Sequence, residues 1–500
     1  MGYPEKYAMR HNHRITPILK NSDREVEWEF TAPRQGAYQF DLKLETMDDN
    51  KTPYLALSLR RDELTNPFGP VRKIVKLSSG LKSYTFYLPL DKGLNRGTIS
   101  LLNTGPEPWK PFQASAIFPI VLKKMVVSIP EHRATIAPDF ILIPVTNHCN
   151  YSCVMCSHGV PEKKPSLSHF PEPLAGRFIN ALNRSTTSCH VALTGEGEPL
   201  ISPLFFRIVN DVTNPLVKFH FATNGSLLND RNNKWIVKSP FSHVNVSLDA
   251  ATPNVYRKIR NAPFKPVIQN LEQLSDAIKA SGRSDLRLII NMTLMSENQN
   301  EVPAFIELAG RLNAGVTVNY LNDYNYFHDW LVERPEFRFD YKEQILVHNE
   351  TLETTVTGYQ KLARDAGVPF MIDEVMRPLL GRSPGGKLVR PSNELTNDPP
   401  ISGCPYLWTG DWRGTFVLHS GGELGACCLQ QPLGKVIDSL PLEEAIDKVW
   451  NGTIARQTRA DILAGKIPEP CSGSNCLFVA LQRLWNEKFY TVDSERSRID

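Results

Sequence analysis

Short apolar strands alternate with helix-length segments through the middle of the chain, from about residue 138 to residue 320. The predicted strands cover residues 140–145, 190–193, 218–222, 243–248, 286–294 and 316–320. Longer amphipathic segments, such as 267–280 and 302–312, lie between them. Strands that alternate with helices form parallel βαβ units. Six such units predict an α/β fold, a partial (β/α)6 TIM-like barrel, with its chemistry at the carboxyl ends of the strands.

The first 135 residues carry a different pattern, in which apolar side chains recur at every second position. Val26, Trp28 and Phe30 alternate with glutamates, and residues 38–44 and 84–88 repeat the alternation. A period of two is typical of strands that bury one face. With polar turns between the strands, the pattern predicts an antiparallel β-sandwich domain over residues 1–135.

The rest of the chain is divided by its proline and glycine content. A helix is predicted over residues 342–366, inside a core domain that extends from 138 to 380. Residues 381–403 contain repeated prolines and glycines, which are typical of a linker. Residues 404–500 then form a small cysteine-rich C-terminal domain.

Charge and hydrophobicity exclude several classes of partner. The formal net charge is only +3 over 500 residues, which gives no basis for binding nucleic acid or an acidic membrane surface. No apolar run reaches the roughly 18 residues that cross a bilayer, and the N-terminus lacks a signal-peptide core. We therefore expect a cytoplasmic protein with neither nucleic acid nor membrane as a partner. In a reducing compartment the nine cysteines indicate metal or redox chemistry rather than disulfides.

Three of these cysteines, Cys149, Cys153 and Cys156, lie on one short loop directly after the first predicted barrel strand. Three thiolates can hold three irons of a cubane iron–sulfur cluster, which leaves the fourth iron open to a substrate or cofactor. A zinc site completed by His148 or His158 is an alternative, as are three buried structural thiols.

The loop has the spacing CxxxCxxC and resembles the signature of the radical S-adenosylmethionine superfamily. Four further segments are similar to motifs of that superfamily, in the same order and near the ends of successive strands: TGEGEPL (194–200), ATNG (222–225), VSLDA (246–250) and YRKIRN (256–261). The resemblance implies a catalytic 4Fe-4S cluster and S-adenosylmethionine as cofactors. It also implies a one-electron donor, such as flavodoxin or ferredoxin, as a partner.

The resemblance further assigns ten residues to the binding of this cofactor: Met155, Gly195, Glu196, Gly197, Glu198, Asn224, Ser247, Asp249, Arg260 and Asn291. Met155 would pack on the adenine, and the glycine-rich turn would accept hydrogen bonds from the ammonium group. Ser247 and Asp249 would bind ribose hydroxyls, and Arg260 or Asn291 would meet the carboxylate. Capping of loops is the alternative role for Ser247, Asp249 and Asn291.

The C-terminal cysteines form a second set, Cys404, Cys427, Cys471 and Cys476. Their context resembles the SPASM extension of the superfamily in its shorter, one-cluster form called twitch, which implies an auxiliary 4Fe-4S cluster. A structural zinc site is the alternative. Cys428 is a candidate catalytic hydrogen donor, while burial as a small apolar side chain is the alternative for Cys428 and Cys189.

The sequence favours a small polyhydroxylated or carbohydrate-type substrate, oxidised or epimerised at carbon, because a β-sandwich precedes the barrel. Modification of a peptide or protein by the same radical chemistry is the alternative. A non-catalytic iron–sulfur scaffold is a hypothesis of another class, which the intact cofactor motifs disfavour.

Overall fold

A computed structural model describes the chain over residues 18–21, 25–32, 36–46, 54–78, 80–91, 93–103, 113–114, 120–134, 138–160, 162, 164–195, 197–321, 331–373, 404, 406–409, 416–427 and 432–472. The predicted linker at 381–403 lies outside these residues. No helix in this part of the chain is long and apolar enough to cross a membrane.

The first domain contains antiparallel strands whose described members are β1 Ile18–Asn21, β2 Glu25–Ala32, β3 Gly36–Thr46, β4 Tyr54–Leu59, β5 Val71–Lys76, β6 Gly80–Leu90, β7 Gly93–Asn103, β8 Gln113–Ala114 and β9 Ile120–Ser128. One sheet has the order β1-β2-β7-β4-β5, with β8 beside β7, and the other has the order β6-β3-β9. Inward side chains of both sheets form one hydrophobic cluster, in which Trp28 of β2 contacts Phe40 of β3 with ring centroids 5.1 Å apart. The alternating apolar positions thus face this shared interior.

The central domain is built on parallel strands, and the predicted α/β fold with a parallel sheet is confirmed. The strands are β10 Phe140–Leu142, β11 Cys189–Ala192, β12 Val217–Thr223, β13 Phe241–Ser247, β14 Arg287–Leu294, β15 Gly315–Tyr320 and, beyond the six predicted, β18 Phe370–Ile372. They pair in the order β18-β15-β14-β13-β12-β11-β10. All carboxyl ends therefore meet at one edge of the sheet.

Helices cover the outer face of this sheet through one large hydrophobic cluster. They are α1 Glu172–Arg184, α2 Pro203–Asp211, α3 Asp230–Ile236, α4 Pro253–Arg260, α5 Phe264–Ser281 and α6 Val302–Arg311. The predicted single helix at 342–366 is wrong, because it is divided into α7 Tyr341–Gln344 and α8 Glu350–Asp365. The Asn349 side chain accepts a hydrogen bond from the Leu352 amide and begins α8 anew. A hairpin of β16 Leu331–Arg334 and β17 Phe337–Asp340 precedes α7.

The C-terminal segment continues the same sheet. Strand β19 Phe416–Leu418 pairs in parallel with β10, and β20 Glu423–Gly425 and β21 Gly434–Lys435 follow as antiparallel neighbours. The helices α9 Leu442–Trp450, α10 Thr453–Leu463 and α11 Glu469–Ser472 come after them. Arg459 of α10 is fully buried and donates to the carbonyl oxygens of Leu407 and Trp450, each at 2.7 Å, so it joins this segment to its helices.

The N-terminal sheets pack against the amino ends of the parallel strands. Just before β11, Ser188 donates through its backbone N–H to the Ile74 carbonyl at 2.7 Å. The Lys73 ammonium lies 2.7 Å from the carboxylate of Asp139, and both side chains are buried. The opposite, carboxyl edge of the barrel carries the cysteine loop.

Candidate active site

The loop that follows β10 carries Cys149, Cys153 and Cys156. Its backbone is held by the Val154 N–H, which donates to the Ile259 carbonyl at 2.9 Å, and by the Cys156 N–H, which donates to Cys153 at 3.1 Å. Cys153 is 6% exposed, whereas Cys149 and Cys156 are half-buried. The fold therefore presents three thiols from one ordered loop at the carboxyl edge of the barrel.

Cys153 is joined to a buried ion pair. The Arg260 guanidinium donates to the Cys153 Sγ at 3.4 Å and lies 2.5 Å from the Asp249 carboxylate. Asp249 is fully buried, adopts a left-handed backbone with φ of +61°, and accepts from the Thr293 N–H at 2.6 Å. The predicted contacts of Asp249 with ribose and of Arg260 with the cofactor carboxylate stay predictions. The two charges face each other, and Arg260 also contacts the cysteine loop.

The Glu198 side chain is also buried and bonded to other protein groups. It is 1% exposed, and its two carboxylate oxygens accept from the Thr223 hydroxyl and the Asn224 N–H, each at 2.7 Å. Burial raises the pKa of Glu198 to about 6, although these donors oppose the shift. The Glu198 side chain therefore holds the turn after β12, and its predicted contact with a cofactor stays a prediction.

Asn224 links that turn to the cysteine loop. Its Nδ2 lies 2.8 Å from the Asn150 side-chain oxygen and 3.9 Å from the Cys149 Sγ, while its own oxygen accepts from the Ser226 N–H at 2.9 Å. A donor directed at a thiolate sulfur stabilises its negative charge. Asn224 therefore positions Cys149.

Two of the predicted ribose and carboxylate contacts lie side by side on the inner face. Ser247, at the end of β13, is half-buried and lies opposite Asn291 of β14 in the sheet register. The Asn291 oxygen accepts from Thr317 at 2.8 Å and from Asn319 at 2.9 Å. Met155 is half-buried against a separate apolar cluster that includes Met295. Their contacts with a cofactor stay predictions.

Burial and the Arg260 charge act in opposite directions on the pKa of the Cys153 thiol in this loop. Burial raises the pKa of the Cys153 thiol to about 11, and the Arg260 charge opposes this shift. Burial also raises the pKa of Cys149. Metal binding displaces the thiol protons, and Arg260 balances the resulting negative charge. Three thiols on one loop, with a guanidinium beside them, fit an iron–sulfur cluster with one open iron.

Comparison with known proteins agrees with this geometry. Residues 143–309 match the family model described as the radical SAM superfamily. The chain contains a radical SAM domain. That family uses a 4Fe-4S cluster and S-adenosylmethionine, which are therefore the cofactors of this domain.

Two curated relatives and one solved structure illustrate the similarity. A probable GTP 3',8-cyclase of Methanosarcina acetivorans is 32% identical over 33% of this chain and 48% of its own length. Mycofactocin maturase MftC of Mycobacterium ulcerans is 27% identical over 37% of this chain and 48% of its own length. The matches thus span about half the length of these relatives. Streptococcus suis SuiB bound to precursor peptide SuiA is 14% identical, with a TM-score of 0.45 over 66% of this chain and 68% of SuiB.

The C-terminal cysteines are only partly described. Cys404 and Cys471 pack at the edge of the main hydrophobic cluster, and Cys427 is half-buried just after β20. None of the seven cysteines among the described residues is in a disulfide. Glu196, Cys428 and Cys476 lie outside the described residues, so their predicted roles stay predictions.

The register of β20 bears on the predicted role of Cys428. Gly425 lies beside Val417 in an antiparallel pair, while β19 runs parallel to β10. Cys427 therefore follows a strand that runs away from the edge where the radical SAM cysteine loop lies. Cys428 itself lies outside the described residues, so its role as a hydrogen donor stays a prediction.

Several positioning residues of the radical SAM site were missed from the sequence. Asn298 is fully buried and donates to the Asp249 carbonyl at 2.8 Å, and Arg334 of β16 donates to the Ser152 carbonyl. Thr223, which binds Glu198, lies inside the ATNG segment and could have been found there. Arg334 is distant in sequence and follows no motif, so nothing in the sequence indicated it.

A glycine of the radical SAM motif offers a direct test of this packing. A Cβ on Gly197 would lie 2.4 Å from the His148 carbonyl oxygen and 2.7 Å from that of Thr146. Gly197→Ala should therefore lower the free energy of unfolding by about 1–3 kcal/mol and weaken cofactor binding, because backbone must move. Gly358→Ala is the control, since nothing lies within 4 Å of its Cβ and it is helical, so it should stabilise by about 0.5–1 kcal/mol. Equal thermal denaturation curves for wild type and Gly197→Ala would contradict this packing.

Proposed function

We propose that the chain is a radical SAM enzyme that cleaves S-adenosylmethionine reductively and abstracts a hydrogen atom from a peptide or protein substrate. The observation that supports this most is the cysteine loop at the carboxyl edge of the barrel, with Cys153 bonded to the Arg260–Asp249 pair. A scaffold that only held iron would not need cofactor motifs around the open side of the loop.

Individual residues of the chain would have distinct roles in this reaction. Cys149, Cys153 and Cys156 would hold the cluster, and Arg260 would balance its charge. These residues would hold a 4Fe-4S cluster and S-adenosylmethionine, which when bound and reduced would supply the radical chemistry for abstracting a hydrogen atom from carbon. The barrel positions the target C–H bond and excludes water and oxygen.

The inner face near this edge is polar. It carries amide and hydroxyl side chains on adjacent strands, among them Asn245, Ser247, Asn291 and Thr317. The Asn245 side-chain oxygen is buried and has no hydrogen-bond partner among the described residues. An acceptor of this kind suits a substrate rich in N–H groups, such as a peptide backbone.

The maturase relative favours a peptide over the polyhydroxylated substrate preferred from the sequence, for which the relatives named above provide no support. We therefore place the peptide first. Oxidation and epimerisation are two outcomes of the same hydrogen abstraction. Cys428 would act as a hydrogen donor only in an epimerisation.

The remaining domains complete the proposal. Residues 1–135 would form a β-sandwich accessory domain, 138–380 the radical SAM core, 381–403 a linker, and 404–500 a SPASM or twitch-like domain. Its auxiliary 4Fe-4S cluster would be bound by Cys404, Cys427, Cys471 and Cys476. A flavodoxin or ferredoxin would deliver the electron.

Substrate class can be tested by substrate-dependent cofactor cleavage. Anaerobically reconstituted protein is incubated with S-adenosylmethionine, dithionite and either a mixed peptide library or a panel of polyols and sugar phosphates. We expect peptides to raise 5'-deoxyadenosine formation by about tenfold or more, because bound substrate contributes binding energy to the radical step. Mass spectrometry should show a peptide that loses two mass units, or one that takes up deuterium from the solvent. Stimulation by the polyol panel alone would reverse the assignment.

A further inference from the structure

Three histidines lie together on neighbouring strands, toward the amino end of the barrel. His190, His220 and His243 belong to β11, β12 and β13, and one ring nitrogen of each lies within 4.8 Å of the other two. Phe219 and Phe221, which flank His220, are fully buried in the cluster under the helices. Because alternate residues of a strand face opposite sides, the three imidazoles share the inner face. His220 precedes Asn224 by four residues, so the group lies roughly 13 Å from the cysteine edge.

The contacts within this histidine cluster leave a ring nitrogen available to bind a metal ion. His190 Nε2 lies 2.7 Å from His220 Nδ1, and the Ser242 hydroxyl lies 3.0 Å from His243 Nδ1 and 3.4 Å from His190 Nε2. The other nitrogen of His243, Nε2, is buried and has no hydrogen-bond partner among the described residues. A buried nitrogen without a partner destabilises the fold unless something else binds there.

The surroundings favour neutral imidazoles. Burial lowers the pKa of His220 to about 3 and those of His190 and His243 well below their usual value. Neutral imidazole is the form that binds metal ions.

The cations near the cluster are themselves paired with carboxylates. Three such pairs lie at the amino ends of the barrel strands: Lys73–Asp139 at 2.7 Å, Lys218–Asp285 at 3.9 Å and Arg287–Glu63 at 3.7 Å. These carboxylates reduce the positive potential that a bound dication would meet, although Lys73 and Lys218 still lower the pKa of His190 and Arg287 still lowers that of His243.

Two aromatic rings close the cluster. Phe140 of β10 stacks on His190 with centroids 4.6 Å apart, and Phe68 from the N-terminal domain meets His243 edge-on at 5.0 Å. An apolar shell of this kind limits access of water and orients the imidazoles.

We propose that His190, His220 and His243 bind one divalent transition-metal ion of the zinc type, separate from the iron–sulfur chemistry. Imidazole nitrogens suit zinc, whose tetrahedral bonds of about 2.0–2.1 Å place the nitrogens roughly 3.3 Å apart. Small rotations of the rings from their present separations would reach that geometry. The Ser242 hydroxyl, which lies within 3.4 Å of two of the rings, or a water molecule would fill the fourth position. The ion would tie three barrel strands together beneath the N-terminal domain, which makes it a structural rather than a reacting centre.

The decisive measurement is X-ray absorption at the zinc edge. One equivalent of zinc ion is added to reconstituted full-length protein, which is then gel-filtered. We expect about three nitrogen neighbours at about 2.0 Å and no sulfur shell at about 2.3 Å. Zinc that is held through sulfur alone, or that is not retained, overturns the proposal. Because this experiment needs no variant, it decides the matter even if the substitutions below prevent folding.

Variants then assign the ligands. In His190→Gln/His220→Gln/His243→Gln protein, bound zinc should fall from about one per chain to almost none, while iron content is unchanged. His348→Gln is the matched control, because His348 pairs with Glu353 beside α8 and lies outside the cluster. It should retain zinc, and zinc should raise its melting temperature as in the wild type. Full zinc retention by the triple variant would overturn the assignment.

Discussion

Arg260→Met is expected to lower the free energy of unfolding by about 3–5 kcal/mol, because it leaves the fully buried Asp249 carboxylate without its partner. The same change removes the donor to Cys153 and should therefore slow cluster reconstitution. Chemical denaturation of the protein before reconstitution measures the first effect separately from the second. Arg257→Met, on the exposed face of the same helix, is the control and should change stability by no more than about 0.5 kcal/mol.

The double variant Asp249→Asn/Arg260→Met distinguishes a lost ion pair from a lost packing contact. Once the carboxylate is also neutral, much of the stability should return, since no unpaired charge stays buried. Cluster binding should stay impaired, because the donor to Cys153 is still missing. If Arg260→Met were as stable as the control, the buried pair described here would not exist in solution.

Cys149→Ala/Cys153→Ala/Cys156→Ala is expected to abolish cleavage of S-adenosylmethionine. Reconstituted wild type should bind about eight irons in two clusters, and the triple variant about four, since the C-terminal cysteines are untouched. Colorimetric iron determination and the visible spectrum measure this. The matched variant Cys189→Ala removes a buried thiol on β11 outside both sets, and it should keep all the iron. An iron content of about eight in the triple variant would contradict the assignment of the catalytic cluster.

The parallel sheet was largely predictable because its strands are short, apolar and separated by amphipathic helices. The predicted strand at 218–222 lies within the observed Val217–Thr223, and that at 316–320 lies within Gly315–Tyr320. Strand β19 was not predicted to join the barrel, because its pairing with β10 connects Phe416 with Ile141 across 275 residues. No local pattern encodes so distant a parallel pair.

The site was predictable at the level of motifs but not of contacts. The family resemblance predicted Asp249 and Arg260 as cofactor-binding residues, but it did not predict that they pair with each other or that Arg260 contacts Cys153. The histidines could have been noticed, because His190, His220 and His243 each lie on a strand that leads into one of the motifs. Their convergence depends on strand register, which the sequence does not reveal.

Reductive cleavage of S-adenosylmethionine tests the central claim most directly. Wild-type protein, reconstituted anaerobically and reduced with dithionite, is incubated with S-adenosylmethionine, and 5'-deoxyadenosine is quantified by mass spectrometry. We expect 5'-deoxyadenosine from the wild type and none from the triple cysteine variant. If the fully reconstituted wild type produced none, with or without the peptide library, the chain would not be a radical SAM enzyme.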